Sequence, residues 1–262
     1  MLRPQKGKQM TNETILAIDV GNSSIHWNFI TSGEIKNYNR NKHTELSLLP
    51  WKAVKDSNCP VVIAGMLPHM TGAVQSITTE YGIKFIEINL TNQGKIKNTY
   101  PTLGIDRVCN LIGALESCKN LNTTVIVFDF GSATTASSCD KHGNFLGGTI
   151  RTGFEVELKA ISSKTLSLPH VELAREEKVL KLNPLSKTTE DAILHGVIIG
   201  QVAFVEYHLN LFKKETNSEP KIILTGGNSS IISKFYKKYD LIDPYLTLKG
   251  IYYCYEESLM HA

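Results

Sequence analysis

Two short stretches of this sequence repeat one local pattern at a spacing of 110 residues. Asp19 and Asp129 each end a run of apolar and β-branched residues, and Gly21 and Gly131 follow two positions later. A further glycine, after the next apolar run, recurs at the same spacing. Each copy predicts a strand, a turn and a second strand, so the pattern indicates an internal duplication of local structure.

The length and composition suit two related domains. The chain has 262 residues, of which 42% are hydrophobic and 20% charged, as in ordinary globular proteins. With 28 basic and 25 acidic side chains the net charge is only +3, which argues against a nucleic-acid partner. We predict an α/β fold with two domains, residues 10–118 and 119–262, each built on a mixed sheet flanked by helices.

The cysteines, the apolar runs and the N-terminus bear on the compartment. Five cysteines form no C-x-x-C pair, which predicts reduced and mostly buried thiols in the cytoplasm. No apolar run reaches the roughly 20 residues that span a bilayer, so we expect no membrane partner. The basic N-terminus lacks the apolar segment of a signal peptide. Residues 1–9 are either an irregular extension or lie upstream of a true start at Met10 rather than Met1.

Hydrophobic periodicity and turn residues predict the remaining elements. Apolar runs bounded by turns predict strands at Ile15–Val20, Ile25–Ile30, Val61–Met66, Phe85–Leu90, Val125–Phe128, Ala133–Cys139, Lys221–Thr225 and Tyr245–Leu248. Apolar residues at helical spacing predict helices at Thr71–Tyr81, Asp106–Cys118, Glu155–Ile161, Thr189–Phe212 and Ser229–Lys238.

A strand that ends in Asp-x-Gly-Asn-Ser places several useful groups together. The carboxylate of Asp19 can hold Mg²⁺ directly or through water, and N–H groups of the following turn can bind phosphate oxygens. The alternative is that Asp19 and Gly21 only shape a hairpin turn, which a single such motif favours. The second copy at Asp129 and the Gly226-Gly227 turn favour two phosphate elements and an adenosine element of a two-lobed nucleotide-binding fold.

The segment Gly104-Ile105-Asp106-Arg107 stands at the start of a predicted helix. Asp106 can act as the N-cap, which stabilises a helix by about 1 kcal/mol. Alternatively, its carboxylate orients a substrate hydroxyl while Arg107 binds an anionic group through two parallel hydrogen bonds. The segment by itself leaves both interpretations open.

These motifs form an ordered set that covers residues 15 to 250. The set is Asp19-Val20-Gly21-Asn22-Ser23, Tyr100-Pro101, Gly104-Ile105-Asp106-Arg107, Asp129-Phe130-Gly131-Ser132-Ala133-Thr134-Thr135, Gly147-Gly148, Thr189-Glu190-Asp191-Ala192-Ile193 and Thr225-Gly226-Gly227. Its order and spacing resemble type III pantothenate kinases. The resemblance implies a two-domain, actin-like (RNase H-like) fold and ATP-dependent phosphorylation of pantothenate to 4′-phosphopantothenate, the first step of coenzyme A synthesis. It also implies Mg²⁺, a monovalent cation (K⁺ or NH₄⁺) and a homodimer.

The resemblance also assigns roles to individual residues. ATP contacts fall on Asp19, Val20, Gly21, Asn22, Ser23, Ser24, Ser132, Gly226 and Gly227. Pantothenate contacts fall on Tyr100, Gly104, Ile105, Asp106, Arg107 and Thr189. Asp106 matches the proton acceptor, and Arg107 is the expected partner of the pantothenate carboxylate. Asp129 matches the ligand of the monovalent cation, and Asp19 is expected to position Mg²⁺ through water.

Several positions depart from the family pattern. Ser23 and Ser132 keep the hydroxyl of the threonine that is common there. Ser137 stands where an aspartate is frequent, and Thr152 replaces a proline that presets φ. Arg151 either binds phosphate or is a solvated surface residue, and we prefer the surface interpretation. These departures leave two alternatives open. The chain is either a catalytically weak or silent family member that acts as a ligand-binding regulatory protein, or a different kinase or phosphatase of the superfamily.

Other reactive side chains carry weaker signals. His26, His142, His170 and His195 are isolated in the sequence, so we expect a structural role for each. Cys109 lies close to Asp106, but its place on the predicted helix indicates packing rather than nucleophilic chemistry.

Overall fold

The computed structural model describes residues 13–35, 37, 39–173 and 181–260. In this part of the chain, ten strands form two five-stranded sheets. Met1 and Met10, the two alternative starts, lie outside the described residues.

The first sheet is mixed. Its strands are β1 (Thr14–Val20), β2 (Ile25–Thr31), β3 (Asn39–Asn41), β4 (Val61–Gly65) and β5 (Phe85–Glu87), in the order β3-β2-β1-β4-β5. The pairs β1–β2 and β2–β3 are antiparallel, and the pairs β1–β4 and β4–β5 are parallel. The hairpins therefore lie on one side of β1, and the strands reached by crossover connections lie on the other.

The second sheet repeats this arrangement. Its strands are β6 (Val125–Phe130), β7 (Ala133–Cys139), β8 (Phe145–Thr152), β9 (Lys221–Thr225) and β10 (Leu241–Ile242), in the order β10-β9-β6-β7-β8. The pairs β6–β7 and β7–β8 are antiparallel, and β6–β9 and β9–β10 are parallel. Every pairing matches that of the first sheet, so the predicted duplication of mixed, helix-flanked sheets is confirmed.

Helices connect the strands. The α-helices of the described residues are α1 (Trp51–Asp56), α2 (Pro68–Tyr81), α3 (Ile105–Ser117), α4 (Phe154–Lys164), α5 (Thr189–Thr216), α6 (Ser229–Phe235) and α7 (Leu246–Met260). Two 3₁₀ helices span His43–Leu48 and Lys119–Leu121. The strand predicted at Tyr245–Leu248 is wrong, because this segment enters α7. Leu248, Tyr252 and Tyr255 are buried there at helical spacing.

Each sheet packs against helices through its own hydrophobic cluster. In the first sheet, buried residues of β1 and β4 pack against Trp51 of α1 and Val74 of α2. In the second, Phe128 and Phe130 of β6 pack against Phe154 of α4 and against α5. Full burial of such a side chain contributes about 1.5–3 kcal/mol. The central strands β1 and β6, which carry the two Asp-x-Gly motifs, are therefore firmly anchored.

Helix α3 crosses α7 at close range. A Cβ at Gly250 of α7 would overlap the carbonyl oxygen of Cys109 and lie 2.8 Å from its Cα. Thr247 Oγ1 donates to Asn110 Oδ1 at 2.7 Å. Cys109 is fully buried, which confirms its packing role, and all five cysteines are buried free thiols. The crossing fixes the first turns of α3, where Asp106 lies.

The chain divides into two compact units. Among the described residues, one unit comprises those up to Lys95, Tyr100–Gly113 and those from Thr247 onward, and the other comprises Ile96–Thr99 and those from Ala114 to Leu246. The C-terminal helix therefore groups with the first unit, whereas the domain boundaries expected from the sequence placed residues 119–262 together. The division at residue 118 stays a prediction.

Helix α5 is unusually long and apolar. It has 28 residues, and by length and composition it is the one described helix that could cross a membrane. A single such helix is weak evidence, because core helices pass the same test. Ile198 and Val205 of α5 lie in the core of the second sheet, although less than half of its most apolar stretch is buried. The absence of a membrane partner stays a prediction.

Candidate active site

The turn after β1 is a four-residue hairpin loop. Residues 21–24 connect the paired residues Val20 and Ile25, and Gly21 N–H donates to Ser24 O at 3.1 Å. Asn22 and Ser23 are exposed at the tip, whereas the side chain of Val20 is buried in the core. The tip is therefore the part of the turn that a ligand can reach.

Asp19 lies beside this turn, in contact with a histidine. It is the penultimate residue of β1 and faces His26 of β2 across the antiparallel pair. Asp19 Oδ2 is 3.5 Å from His26 Nδ1, and His26 Nε2 is 3.1 Å from Ser24 Oγ. His26, which the sequence left isolated, thus joins the carboxylate to the turn.

Two more basic side chains reach the same turn. Arg40 of β3 donates from Nε to Ser24 Oγ at 3.0 Å. His43, in the first 3₁₀ helix, donates from Nε2 to Gly21 O at 2.9 Å. The turn predicted to hold phosphates is therefore bordered by basic groups on its β2–β3 side, which suits an anionic ligand.

The start of α3 leaves room for one carboxylate. A Cβ at Gly104 would overlap Oδ1 of Asp106 and lie 3.4 Å from Met66 Sδ. Val108 N–H donates to Gly104 O at 3.3 Å, so Gly104 is the N-cap and the buried Ile105 begins the helix. Asp106 lies inside the first turn, and the N-cap interpretation of this residue is therefore wrong.

The surroundings of Asp106 suit a proton acceptor. Burial raises the pKa of its carboxyl group above the ordinary value of 3.8, and the negative charge of Asp19 raises it further. Arg107 lowers this pKa through its charge and through its N–H, which donates to Asp106 Oδ1 at 2.8 Å. A desolvated carboxylate beside a second negative charge binds a proton more readily than an exposed one.

Arg107 and Tyr100 form a polar pair in the same unit. Arg107 is only 4% exposed, and its Nη1 donates to Tyr100 Oη at 2.9 Å. Tyr100 is partly exposed. A buried guanidinium next to a solvent-accessible phenol can bind a carboxylate that enters from solvent.

In the second unit, Asp129 ends β6 as Asp19 ends β1. Its cross-strand partners are Thr135 on β7 and Thr225 on β9. Side chains of paired residues point to the same face of a sheet. A carboxylate and two hydroxyls are therefore placed side by side across three neighbouring strands.

Glycines crowd the turn that follows β6. Gly226 has φ +87°, and a Cβ there would overlap Asp129 Oδ1 and lie 2.6 Å from Phe130 N. Gly153 N–H donates to Ser132 O at 3.0 Å, and a Cβ on Gly153 would lie 2.7 Å from that oxygen. Backbone packs directly on backbone here, so side chains at these positions are excluded.

Asn228 follows the Gly226-Gly227 turn and lacks a partner for its side chain. It is 6% exposed, and its Oδ1 accepts no hydrogen bond from any described residue. A buried amide oxygen without a donor costs free energy unless a ligand or water satisfies it. Asn228 is therefore a further candidate ligand-binding residue beside the Gly226-Gly227 turn.

Thr189 and Ser132 also lie in the second unit. Thr189 is exposed in the first turn of α5. That turn is capped by Thr188, whose side chain accepts from Asp191 N–H at 3.1 Å. Ser132 is exposed at the tip of the turn after β6. Both hydroxyls are accessible to a ligand.

Arg151 is not the solvated surface residue that we preferred from the sequence. It donates to Gly200 O and to Glu157 Oε2, each at 2.7 Å. Its guanidinium also lies 5.6 Å from the ring centroid of Phe204. These contacts hold β8 against α4 and α5, so the residue has a structural role.

Comparison with known proteins identifies the family. The family model of type III pantothenate kinase matches residues 15–210. A type III pantothenate kinase of Persephonella marina is 32% identical over 257 residues, which cover 92% of this chain and 98% of that protein. The chain belongs to the type III pantothenate kinase family.

Two solved structures share the fold. A Campylobacter jejuni protein assigned to the Baf family of transcriptional activators has a TM-score of 0.63 at 20% identity, covering 94% of this chain and 100% of its own. A Listeria monocytogenes protein assigned as an N-acetylmannosamine kinase has a TM-score of 0.53 at 12% identity, covering 93% and 99%. At these identities the likeness concerns the fold alone. It confirms the predicted two-domain, actin-like architecture.

The donor set fits the way kinases bind Mg²⁺. This ion usually takes one or two carboxylates together with substrate phosphates and several waters. Within the described ranges, no three His, Cys, Asp or Glu side chains group into a metal cluster. Asp19, a single carboxylate beside the first turn, fits this mode.

Sequence reasoning missed four polar residues in this pantothenate kinase: His26, Arg40, His43 and Asn228. A signal existed for His26, because a four-residue hairpin loop pairs Asp19 with the residue seven positions later. Arg40 and His43 depend on β3 and the 3₁₀ helix folding back on the turn. Neither element has a periodic pattern that would have predicted this.

Proposed function

We propose that this member of the type III pantothenate kinase family transfers the γ-phosphoryl group of ATP to the primary hydroxyl of pantothenate, which yields 4′-phosphopantothenate and ADP. The observation that carries the proposal is the partly buried carboxylate of Asp106, whose pKa is raised by desolvation, beside the Arg107–Tyr100 pair. The reaction is the first step of coenzyme A synthesis.

Asp106 is the proposed proton acceptor. As the hydroxyl oxygen attacks the γ-phosphorus, its proton passes to the Asp106 carboxylate and the bond to the β–γ bridging oxygen breaks. The raised pKa of Asp106 supports this role. Arg107 binds the carboxylate of pantothenate, and Tyr100 keeps its guanidinium oriented. Gly104 leaves the space in which Asp106 sits.

The first turn supplies the phosphate contacts in this proposal. The backbone N–H groups of Asn22 and Ser23, at the tip of the first turn, donate to phosphate oxygens. Asp19 positions Mg²⁺, which neutralises phosphate charge when bound. The family resemblance assigns further nucleotide contacts to Ser132, Gly226 and Gly227, and a pantothenate contact to Thr189.

Asp129 is the proposed ligand of a monovalent cation. K⁺ binds through oxygens, and the strand register puts Thr135 and Thr225 beside the Asp129 carboxylate. This donor set fits K⁺ or NH₄⁺, the cations that the family resemblance implies.

The decisive experiment is a kinase assay on the full-length protein with ATP, pantothenate, Mg²⁺ and K⁺. We expect 4′-phosphopantothenate, and we expect Asp106→Asn to lower kcat by at least about 10²-fold. Asp56→Asn, at an exposed aspartate that ends α1, is the matched control and should keep wild-type activity. Absence of product contradicts the activity, and full activity of Asp106→Asn contradicts the role of that residue.

The same assay separates this activity from the regulatory alternative. A silent regulator binds nucleotide or pantothenate, as calorimetry would show, but does not form product. The family matches give this alternative no support, and the Asp19, Asp106, Arg107 and Asp129 set is complete.

We also propose a homodimer that forms through α5. Its outward face carries small and apolar residues every three or four positions: Ala192, Gly196, Ile199, Ala203, Tyr207 and Leu211. Tyr207 is 67% exposed and Leu211 50% exposed. A continuous apolar stripe on one helix can pack against the same stripe of a second copy. Light scattering should show a dimer that Tyr207→Glu dissociates and the neighbouring Glu206→Gln leaves intact.

The cytoplasm is the proposed location. All five cysteines are free buried thiols, which is the usual state in a reducing compartment.

A further inference from the structure

We propose that Arg40 binds a phosphate oxygen of the nucleotide directly, and that a chain of polar contacts from Asp19 through His26 and Ser24 holds it in place. The inference rests on the proposed function, because it assigns an unrecognised phosphate ligand to the same nucleotide site. None of the family motifs in this sequence includes Arg40 or His26.

The first argument is the position of the guanidinium. Arg40 Nε donates to Ser24 Oγ at 3.0 Å, and Ser24 is the last residue of the turn that carries the exposed Asn22 and Ser23. The two Nη groups extend about 2 Å beyond Nε in a rigid plane. They are therefore within reach of a phosphate that is bound at the tip of the turn.

The second argument is that the guanidinium is available. Arg40 is exposed, and the contact with Ser24 is the only hydrogen bond or ion pair that its side chain makes to the described residues. Arg107 and Arg151, by comparison, are held by contacts with Tyr100 and Glu157 respectively. Of these three arginines, only Arg40 has both Nη groups available to donate to an anionic ligand.

The third argument is the direction of the hydrogen bonds. Ser24 Oγ accepts from Arg40, so the Ser24 hydroxyl proton can be donated to His26 Nε2 at 3.1 Å. His26 then carries its proton on Nδ1, which faces Asp19 Oδ2 at 3.5 Å. These contacts link the proposed metal-positioning carboxylate to the proposed phosphate-binding cation.

His26 is accordingly a positioning residue. It contacts Asp19 and Ser24 rather than the reacting atoms, so its loss should disturb the orientation of Arg40 and of the turn together. The chain offers a physical reason why a histidine faces the first turn, although no pattern in the sequence required one there.

The test measures equilibrium binding to the full-length protein by calorimetry, with ATP, ADP and adenosine as separate probes. Arg40→Met should weaken ATP and ADP binding by about 10–100-fold, the effect of losing a hydrogen bond to a charged group. Adenosine binding should not change. Lys42→Met, which removes an exposed positive charge two residues away, should leave the binding of all three probes at the wild-type level.

A second variant separates direct contact from support of the turn. Ser24→Ala removes the acceptor but keeps the guanidinium, and should weaken ATP binding by only about 2–10-fold. Equal losses in Ser24→Ala and Arg40→Met, or an equal loss for adenosine in Arg40→Met, would overturn the proposed phosphate contact. So would wild-type ATP affinity in Arg40→Met.

The role of His26 has its own readout. His26→Gln can still bridge Ser24 and Asp19, so it should keep a KM for ATP within about threefold of wild type, whereas His26→Leu should raise that KM about tenfold. The KM for pantothenate should not move in either variant. Parallel rises in both KM values would show a general structural defect and contradict positioning. Because ATP binding is measured without turnover, failure of this inference is distinct from failure of the kinase activity.

Discussion

The two Asp-x-Gly turns have the same backbone plan and different surroundings. Each follows the central strand of its sheet, and each strand has equivalent antiparallel and parallel neighbours. The first loop has four residues between the paired Val20 and Ile25, and the second has three between Phe130 and Thr134. The longer loop exposes two polar residues at its tip. The backbone of the shorter loop is in close contact with Gly153.

The side chains around the turns have diverged further than the strands. Asp19 faces a histidine, and an arginine reaches the loop beside it. Asp129 faces Thr135 and Thr225, and Gly226 closes on its carboxylate. Basic groups suit phosphate, and neutral oxygens suit a weakly held cation. The comparison teaches that the strand pairing is the same in both copies while the side chains around the two turns differ.

The largest expected contrast is between the two aspartates. Asp19→Asn removes the carboxylate proposed to position Mg²⁺, and kcat should fall by roughly 10²–10³-fold, as for loss of a strong electrostatic contact in a transition state. Asp129→Asn should cost about 10–100-fold, as for a supporting group, and should weaken activation by K⁺. Steady-state rates at several K⁺ concentrations check this. Equal losses with unchanged K⁺ dependence would remove the functional distinction between the turns.

The next contrast concerns stability. Gly226→Ala places a methyl group on the Asp129 carboxylate at φ +87°, and should lower the free energy of unfolding by about 2–4 kcal/mol. Gly21→Ala meets only Ser24 O, at an ordinary 3.5 Å, and should cost less than about 1 kcal/mol. Urea unfolding of both variants measures the difference. Similar losses would mean that the two turns are equally crowded.

The sequence was sufficient for the elements that depend on local pattern. β1, β2, β6 and β7 follow from apolar runs and turn residues, and α3 follows from its buried face. The tail was predicted incorrectly, because Tyr245–Leu248 has a short apolar run that a strand and a helix share. Only packing against α3, at Gly250, decides in favour of the helix.

The candidate site divides in the same way. Residues within one motif, such as Gly104 and Asp106, were predicted, and their spatial contact follows from adjacency in the chain. The contacts of Arg40 with Ser24, and of Arg151 with Gly200, join distant segments. Sequence periodicity carries no information on such contacts, because they depend on the register of strands and on which loops fold back.

A pH experiment tests the electrostatic side of the comparison. The first turn shares its unit with Asp106, whose pKa is raised by burial and then by Asp19. From pH 3.8 up to that raised pKa the folded state binds more protons than the unfolded state, so rising pH destabilises the fold. Above the raised pKa, the ionised Asp106 carboxyl group destabilises the folded state by the full amount. Asp106→Asn removes this charge and should then raise Tm.

The thermal shift should therefore depend on pH in one direction. The Tm difference between Asp106→Asn and wild type should be small below pH 3.8 and should grow as the pH rises through the pKa of Asp106. Asp19→Asn should move that pKa down, because it removes a like charge, and carboxyl NMR titration would record the change. If Asp106→Asn were less stable than wild type at neutral pH, the predicted direction of the Tm difference would be wrong.

The smallest expected effect is at the tips of the two loops. Ser23 and Ser132 are both exposed, and each stands where the family pattern has threonine. Ser23→Thr and Ser132→Thr add one methyl group without removing the hydroxyl, and the KM for ATP should stay within about twofold, as for a surface substitution of less than 0.5 kcal/mol. A selective loss in Ser132→Thr would show that the crowding imposed by Gly153 extends to the tip of the shorter loop. A selective loss in Ser23→Thr would instead place the nucleotide directly against the longer one.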